Sequence, residues 1–165
     1  MSVLPILAWP DARLSTVCVP VVHAADVADL VHDMFETMYA APGRGLAAPQ
    51  VGALVRVFVM DTGWKTGEKT PLVCINPEII TASETVAEGD EGCLSILGVT
   101  ACVTRPTEIT LAFTDVDGVR QRRDMTGSEA ICAQHELDHL DGLVTFDRLG
   151  AQARAALIAQ YEARV

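Results

Sequence analysis

The stretch GSEAICAQHELDHL, residues Gly127 to Leu140, decides how this chain reads. After Gly127 the apolar residues return at helical spacing, so a helix is predicted from there to Leu140. Inside it lies His135-Glu136-Leu137-Asp138-His139, an HExxH pattern. Residues four apart stand one above the other on a helix face, so both imidazoles reach one metal ion while Glu136 sits beside them as a general base. The plainer reading, a polar helix face that happens to carry two histidines, leaves that spacing unexplained.

Two histidines do not complete a catalytic site, which usually has three protein ligands and an open position. A further histidine in the pattern HxxGxxH fails: Gly142 is in place, but position 145 is Thr145. Glu162 is available downstream and Cys93 upstream, and a thiolate is a good ligand for zinc or ferrous iron. Nothing local separates Cys93 from Cys18, Cys74, Cys102 and Cys132. A third stretch, Gly43-Arg44-Gly45-Leu46-Ala47-Ala48-Pro49-Gln50, comes after a helix rather than a strand, and Pro49 blocks a subsequent helix, so it is not a dinucleotide loop. It does place small residues, which admit a ligand to the backbone, beside Gln50, a neutral donor for an oxyanion.

Working outward, residues 1–25 are predicted to be an extended segment lying over a core. From Asp26, Val27, Leu30, Val31, Met34, Phe35 and Met38 recur as one helical stripe, which stops at Ala41-Pro42-Gly43. Strands are predicted at 55–61, 72–76, 79–86, 99–104, 108–115 and 119–124, the last two joined by the Asp117-Gly118 turn. A final helix is expected at 152–164. Consecutive strands with short turns, flanked by helices, make an α+β domain with antiparallel sheets around the HExxH helix, and one domain over residues 1–165.

Charge and composition exclude several classes. Twelve Lys and Arg stand against 22 Asp and Glu, a formal net charge of −10, and no basic run is present to hold phosphates. Half the residues are hydrophobic, enough for a core. The longest apolar run, 51–60, is broken by Arg56 and falls short of the roughly 20 residues of a membrane span. The first ten residues lack a basic region and carry two prolines, unlike a secretory signal. A cytoplasmic protein with neither membrane nor direct nucleic-acid contacts is expected. Five scattered cysteines with no CxxC pair argue against a disulfide scaffold.

Taken together, Gly43 to Gln50 resembles the GxGxAAPQ motif, Glu91 to Ser95 the EGCLS motif and His135 to His139 the HExDH motif of bacterial peptide deformylases, in that order and approximate spacing. The likeness extends to the Leu4-Pro5-Ile6 start and the Asn76-Pro77 pair. It implies that Cys93, His135 and His139 bind one divalent metal, Fe(II) natively, with zinc, nickel or cobalt able to substitute. Glu136 would take the proton of the attacking water and pass it to the departing amine. Gln50 and the Leu94 backbone N–H would hold the oxyanion, and formate would leave an N-formylated peptide whose first residue is methionine. Residues around Gly45 would pair with the substrate backbone, and Glu91 with Arg105 would support the metal-site loop. The four remaining cysteines would be core thiols. A transient ribosome encounter is a further implication, weakly supported by Arg154 and Arg164 alone in the last helix.

The departures from the family pattern cluster near the side-chain pocket. Arg44 replaces a branched apolar residue, Gly89 and Ser128 replace apolar ones, Glu129 comes next to Ser128, Leu97 stands at a frequent proline position and Thr100 replaces a larger side chain. A more polar wall binds a thioether less well. Two other functions therefore compete: hydrolysis of a different N-formyl compound, and a metal-binding module without catalysis, the latter opposed by the presence of Glu136 and Gln50.

Overall fold

The computed structural model describes residues 2–164; Met1 and Val165, included in the domain expected over 1–165, lie outside the described residues. The helical stripe from Val27 forms a 3-10 turn, Ala24–Val27, running into α1 (Ala28–Ala40). Strand β1 (Gly45–Ala47) comes next, then β2 (Val57–Met60), β3 (Leu72–Ala82), β4 (Val86–Cys93), β5 (Ile96–Pro106), β6 (Glu108–Thr114) and β7 (Arg120–Thr126). The HExxH segment is α2 (Gly127–Leu140), and α3 (Ala151–Glu162) comes last. The strands pair antiparallel in two sheets, one in the order β1-β2-β3-β6-β7 and one of β4-β5. The α+β expectation holds.

Alternation along β2 explains the layering, because successive side chains leave opposite faces of a strand. Val57 and Val59 meet Val27, Val31, Met34 and Met38 of the α1 side, while Phe58 and Met60 meet Ala130, Ala133, Leu137 and Leu140 of α2. All four β2 residues are buried, as expected for a strand covered on both faces. The five-stranded sheet is thus clamped between α1 and α2. A separate cluster of Leu14, Ile96, Val99, Val144, Phe146 and Tyr161 seats β5 on α3 and the N-terminal segment. That segment is extended where it crosses the core, Leu7 N–H donating to the Gln50 carbonyl (2.7 Å) and Trp9 N–H to that of Ser95 (2.9 Å). The expected extended run over 1–25 is, however, interrupted by a 3-10 turn at Ala12–Ser15, which the Asp11 carboxylate caps by accepting from the Arg13 N–H, and it ends at the turn that begins at Ala24.

Three further readings need correction. Residues 72–82 form one strand rather than two, because Asn76 takes a positive φ of 49° and its side chain bonds both backbone groups of Val21 (2.8 Å each), so β3 passes its bulge unbroken. Residues 45–47 and 86–93 are strands that the sequence pattern did not show. Cys102 is exposed rather than a core thiol, because Val99, Ala101, Val103 and Arg105 take the inward positions of β5.

Candidate active site

Helix α2 is buried along most of its length, which brings Glu136, Asp138 and His139 inside the molecule. β4 ends at Cys93 in a tight turn through Leu94 and Ser95, with Cys93 opposite Ile96 in register. Cys93 Sγ lies 3.5 Å from His139 Nε2. The ligand atoms of Cys93, His135 and His139 all fall within 4.8 Å of one another, the one such group of metal-binding side chains among the described residues. Glu162, the other candidate ligand, sits on α3 and is not in that group.

The donor set fits a divalent transition metal: a soft thiolate and two imidazoles. Orientation supports the fit. His135 Nδ1 lies 3.0 Å from Glu91 Oε1, which leaves Nε2 for a ligand, the usual arrangement for a metal-binding histidine. Glu91 is itself held by Arg105, whose Nε and a terminal nitrogen donate at 2.6 and 2.9 Å. Arg105 also donates to Asp138 (3.0 Å), and Asp138 accepts from Arg148 at 2.9 and 2.5 Å. A chain of alternating charge therefore runs from His135 to the 3-10 turn Thr145–Arg148. Asp138 and Arg148 were not anticipated in it, since nothing in sequence spacing pairs them with Arg105.

Burial governs the titrations here. Burial pushes Glu136 up to about 7, partly offset by His135 and Arg105. Its Oε2 is buried with no hydrogen-bond partner, and Oε1 is 3.8 Å from His135 Nε2. Burial also holds His139 well below the ordinary imidazole range, in the neutral form a ligand needs. Burial disfavours the charged form of His135 too, yet the Cys93 thiol and the Glu91 carboxylate raise it well above that range.

Gln50 closes the site from the other side. Its Oε1 accepts from the Ala47 N–H (2.9 Å), which aims Nε2 at Ser95 Oγ (3.0 Å) and Cys93 Sγ (3.7 Å). Ser95, within the second motif but given no role from sequence, is thus the partner that positions this amide. The glycines of the first motif are there for clearance. A Cβ on Gly45 would stand 2.8 Å from Cys132 Sγ and 2.9 Å from Glu136 Oε1, and one on Gly43 would stand 2.7 Å from Leu94 Cδ1. Cys132 is accordingly a half-buried cleft residue rather than a core thiol.

These groups open onto a cleft of about 870 Å³, lined among others by Arg44, Gly45, Gly89, Leu94, Ser128 and Ile131. β1 is an edge strand, paired only with β2, so its other edge can accept an extended peptide. Arg44 is exposed at this cleft, as are Gly89, Leu97, Thr100 and Ser128.

A carboxylate pushed up by burial, beside a thiol and two imidazoles placed to hold a metal ion and open to a cleft, is the arrangement of a metal-dependent hydrolase. The polypeptide deformylase family model matches residues 3–155. The chain is 43% identical to the peptide deformylase of Afipia carboxidovorans over 162 residues, covering 98% of this chain and 95% of that one. It is 46% identical to the peptide deformylase of Xylella fastidiosa, covering 93% and 91%. The crystal structure of the Ehrlichia chaffeensis peptide deformylase in complex with actinonin superposes with a TM-score of 0.92 at 37% identity, over 99% of this chain and 98% of that one. The chain belongs to the peptide deformylase family, and it is an amide hydrolase that removes the N-formyl group from newly made polypeptides.

Proposed function

We propose that Cys93, His135 and His139 hold one divalent metal, Fe(II) natively, and that Glu136, Gln50 and Leu94 carry the hydrolysis of an N-formyl-methionyl peptide. The metal, when bound, polarises the formyl oxygen and acidifies water. Glu136 Oε2 accepts a proton from the attacking water and returns it to the amine nitrogen as the carbon–nitrogen bond breaks. Formate and a free N-terminal amine result. The Gln50 amide and the Leu94 N–H hold the oxygen on which charge develops. Gly45 aligns the substrate backbone along β1, and Arg44 lies at the rim with its stem over the first-residue pocket. Glu91 and Arg105 fix the His135 tautomer. The single catalytic domain comprises residues 1–165.

The observation that carries this reading is the buried, unpartnered Glu136 Oε2 beside the three donor atoms. With a net charge of −10, the protein meets emerging chains by diffusion in the cytoplasm, encountering the ribosome at most transiently and not binding nucleic acid itself. No helix among the described residues is long and apolar enough to cross a membrane. The test is anaerobic purification with metal analysis, then formate release from formyl-Met, formyl-Ala, formyl-Leu and formyl-Glu peptides. One divalent ion per chain and fastest release from formyl-Met are expected. A clear preference for another first residue would overturn the methionine assignment.

A further inference from the structure

Among the described residues, every arginine except Arg44 and Arg122 engages a carboxylate or a backbone carbonyl, and Arg44 is the one that lines the catalytic cleft. Lys65 lines the same cleft, is exposed and makes no ion pair, its ammonium resting 5.7 Å from the centre of the Trp64 ring. The two cations come from different loops that are tied together. Trp64 Nε1 donates to the Gly43 carbonyl and the Asp61 N–H to the Arg44 carbonyl, both at 2.8 Å. Buried Asp61 then gathers the N–H groups of Gly63, Trp64 and Thr70 on one carboxylate oxygen at 3.0–3.2 Å, which fixes the loop that carries Lys65.

We propose that Arg44 and Lys65 form a cationic lip that selects N-formyl peptides bearing a carboxylate beyond their first residue, either an acidic side chain or the C-terminal carboxylate of a short peptide. This deepens the deformylase reading and rests on it. Both cations are exposed, so they sit at the mouth and not against the reacting amide, and they act on the substrate's second and later residues. On a protein of net charge −10 the general field repels anions, and two unpaired cations on one lip reverse it locally. Of the carboxylates lining the cleft, Glu91 is neutralised by Arg105 and Glu136 lies buried at the floor. Asp90, from the other sheet, is the remaining unpaired acid. It limits the preference without cancelling two positive charges.

The test measures formate release from formyl-Met-Ala-amide, the same dipeptide with a free carboxylate, formyl-Met-Glu-amide and formyl-Met-Lys-amide. The carboxylate peptides should show kcat/KM about three- to tenfold above the neutral amide at low salt, mostly through KM, and the advantage should shrink toward unity in ~0.5 M salt. Comparing the free dipeptide with the glutamyl amide tells which carboxylate is read. Arg44→Glu with Lys65→Glu should reverse the order, favouring the lysyl peptide, and Lys65→Glu alone should move it part of the way. Equal kcat/KM for neutral and anionic peptides, or an unchanged preference in the double variant, would overturn the lip while leaving deformylation intact. No formate from any of the four would overturn the deformylase reading and the lip with it.

Discussion

Glu136, the proposed proton carrier, shows how closely one position is fitted to its neighbours. Its place on α2 puts it in contact range of Gly45, and only the missing side chain at Gly45 leaves room for its carboxylate. Gly45→Ala should therefore lower kcat by about a hundredfold, the usual effect of displacing a catalytic group by an ångström, with metal content unchanged in an assay of both. Glu91 acts one step further out. Glu91→Gln would leave Arg105 and His135 without their shared anion, and competition with a chelator should show metal affinity weakened by about 10- to 100-fold. The sequence made His135, Glu136 and His139 legible through their helical spacing alone. Cys93 was one of five equivalent thiols until its motif was matched, because β4, the strand that delivers it, has no hydrophobic pattern. Arg105, Asp138 and Arg148 lie on separate elements, so only the fold reveals them as one network.

At the scale of elements, the helices were legible and two strands were not. α1 and α2 bury a stripe with the helical period, and that period is visible in sequence. β4 exposes Glu88, Gly89 and Asp90 in succession, so it has no inside face to leave an alternating trace. β1 has three small or apolar residues and is made a strand by its pairing with β2 rather than by its own preference. In β3, Asn76-Pro77 has the composition of a break, and the side-chain bonds to Val21 are what carry the strand across it. The loop after β2 depends on Asp61. Although burial opposes its charge, the Tyr39 hydroxyl (2.6 Å) and the N–H groups of Thr70, Gly63 and Trp64 hold its carboxyl below the usual range. A depressed carboxyl adds stability above the unfolded value of about 4 and loses it as pH falls through the folded value. Urea denaturation of Asp61→Asn should thus show a deficit at pH 7 that narrows toward pH 3. In β2, Phe58 fills the space under α2, and Phe58→Ala should cost about 3–5 kcal/mol in the same assay.

For the molecule as a whole, two bodies of packing meet at the proposed metal site. The sheet clamped by α1 and α2 presents the histidines and Glu136, and the β4-β5 hairpin, seated on α3 and the N-terminal segment, presents Cys93. A bound metal would join them, so its removal by a chelator should lower the thermal midpoint and its return should restore it, as calorimetry with and without added metal would show. The acidic charge, the open cleft and the cationic lip all bear on which peptides arrive. In the proposed mechanism their hydrolysis, once bound, depends on Glu136. The most direct test is Glu136→Gln, assayed together for bound metal and for formate release from a formyl-Met peptide. One divalent ion per chain with turnover reduced by at least about a hundredfold is the predicted result. Turnover close to that of the unaltered protein, with metal still bound, would contradict it.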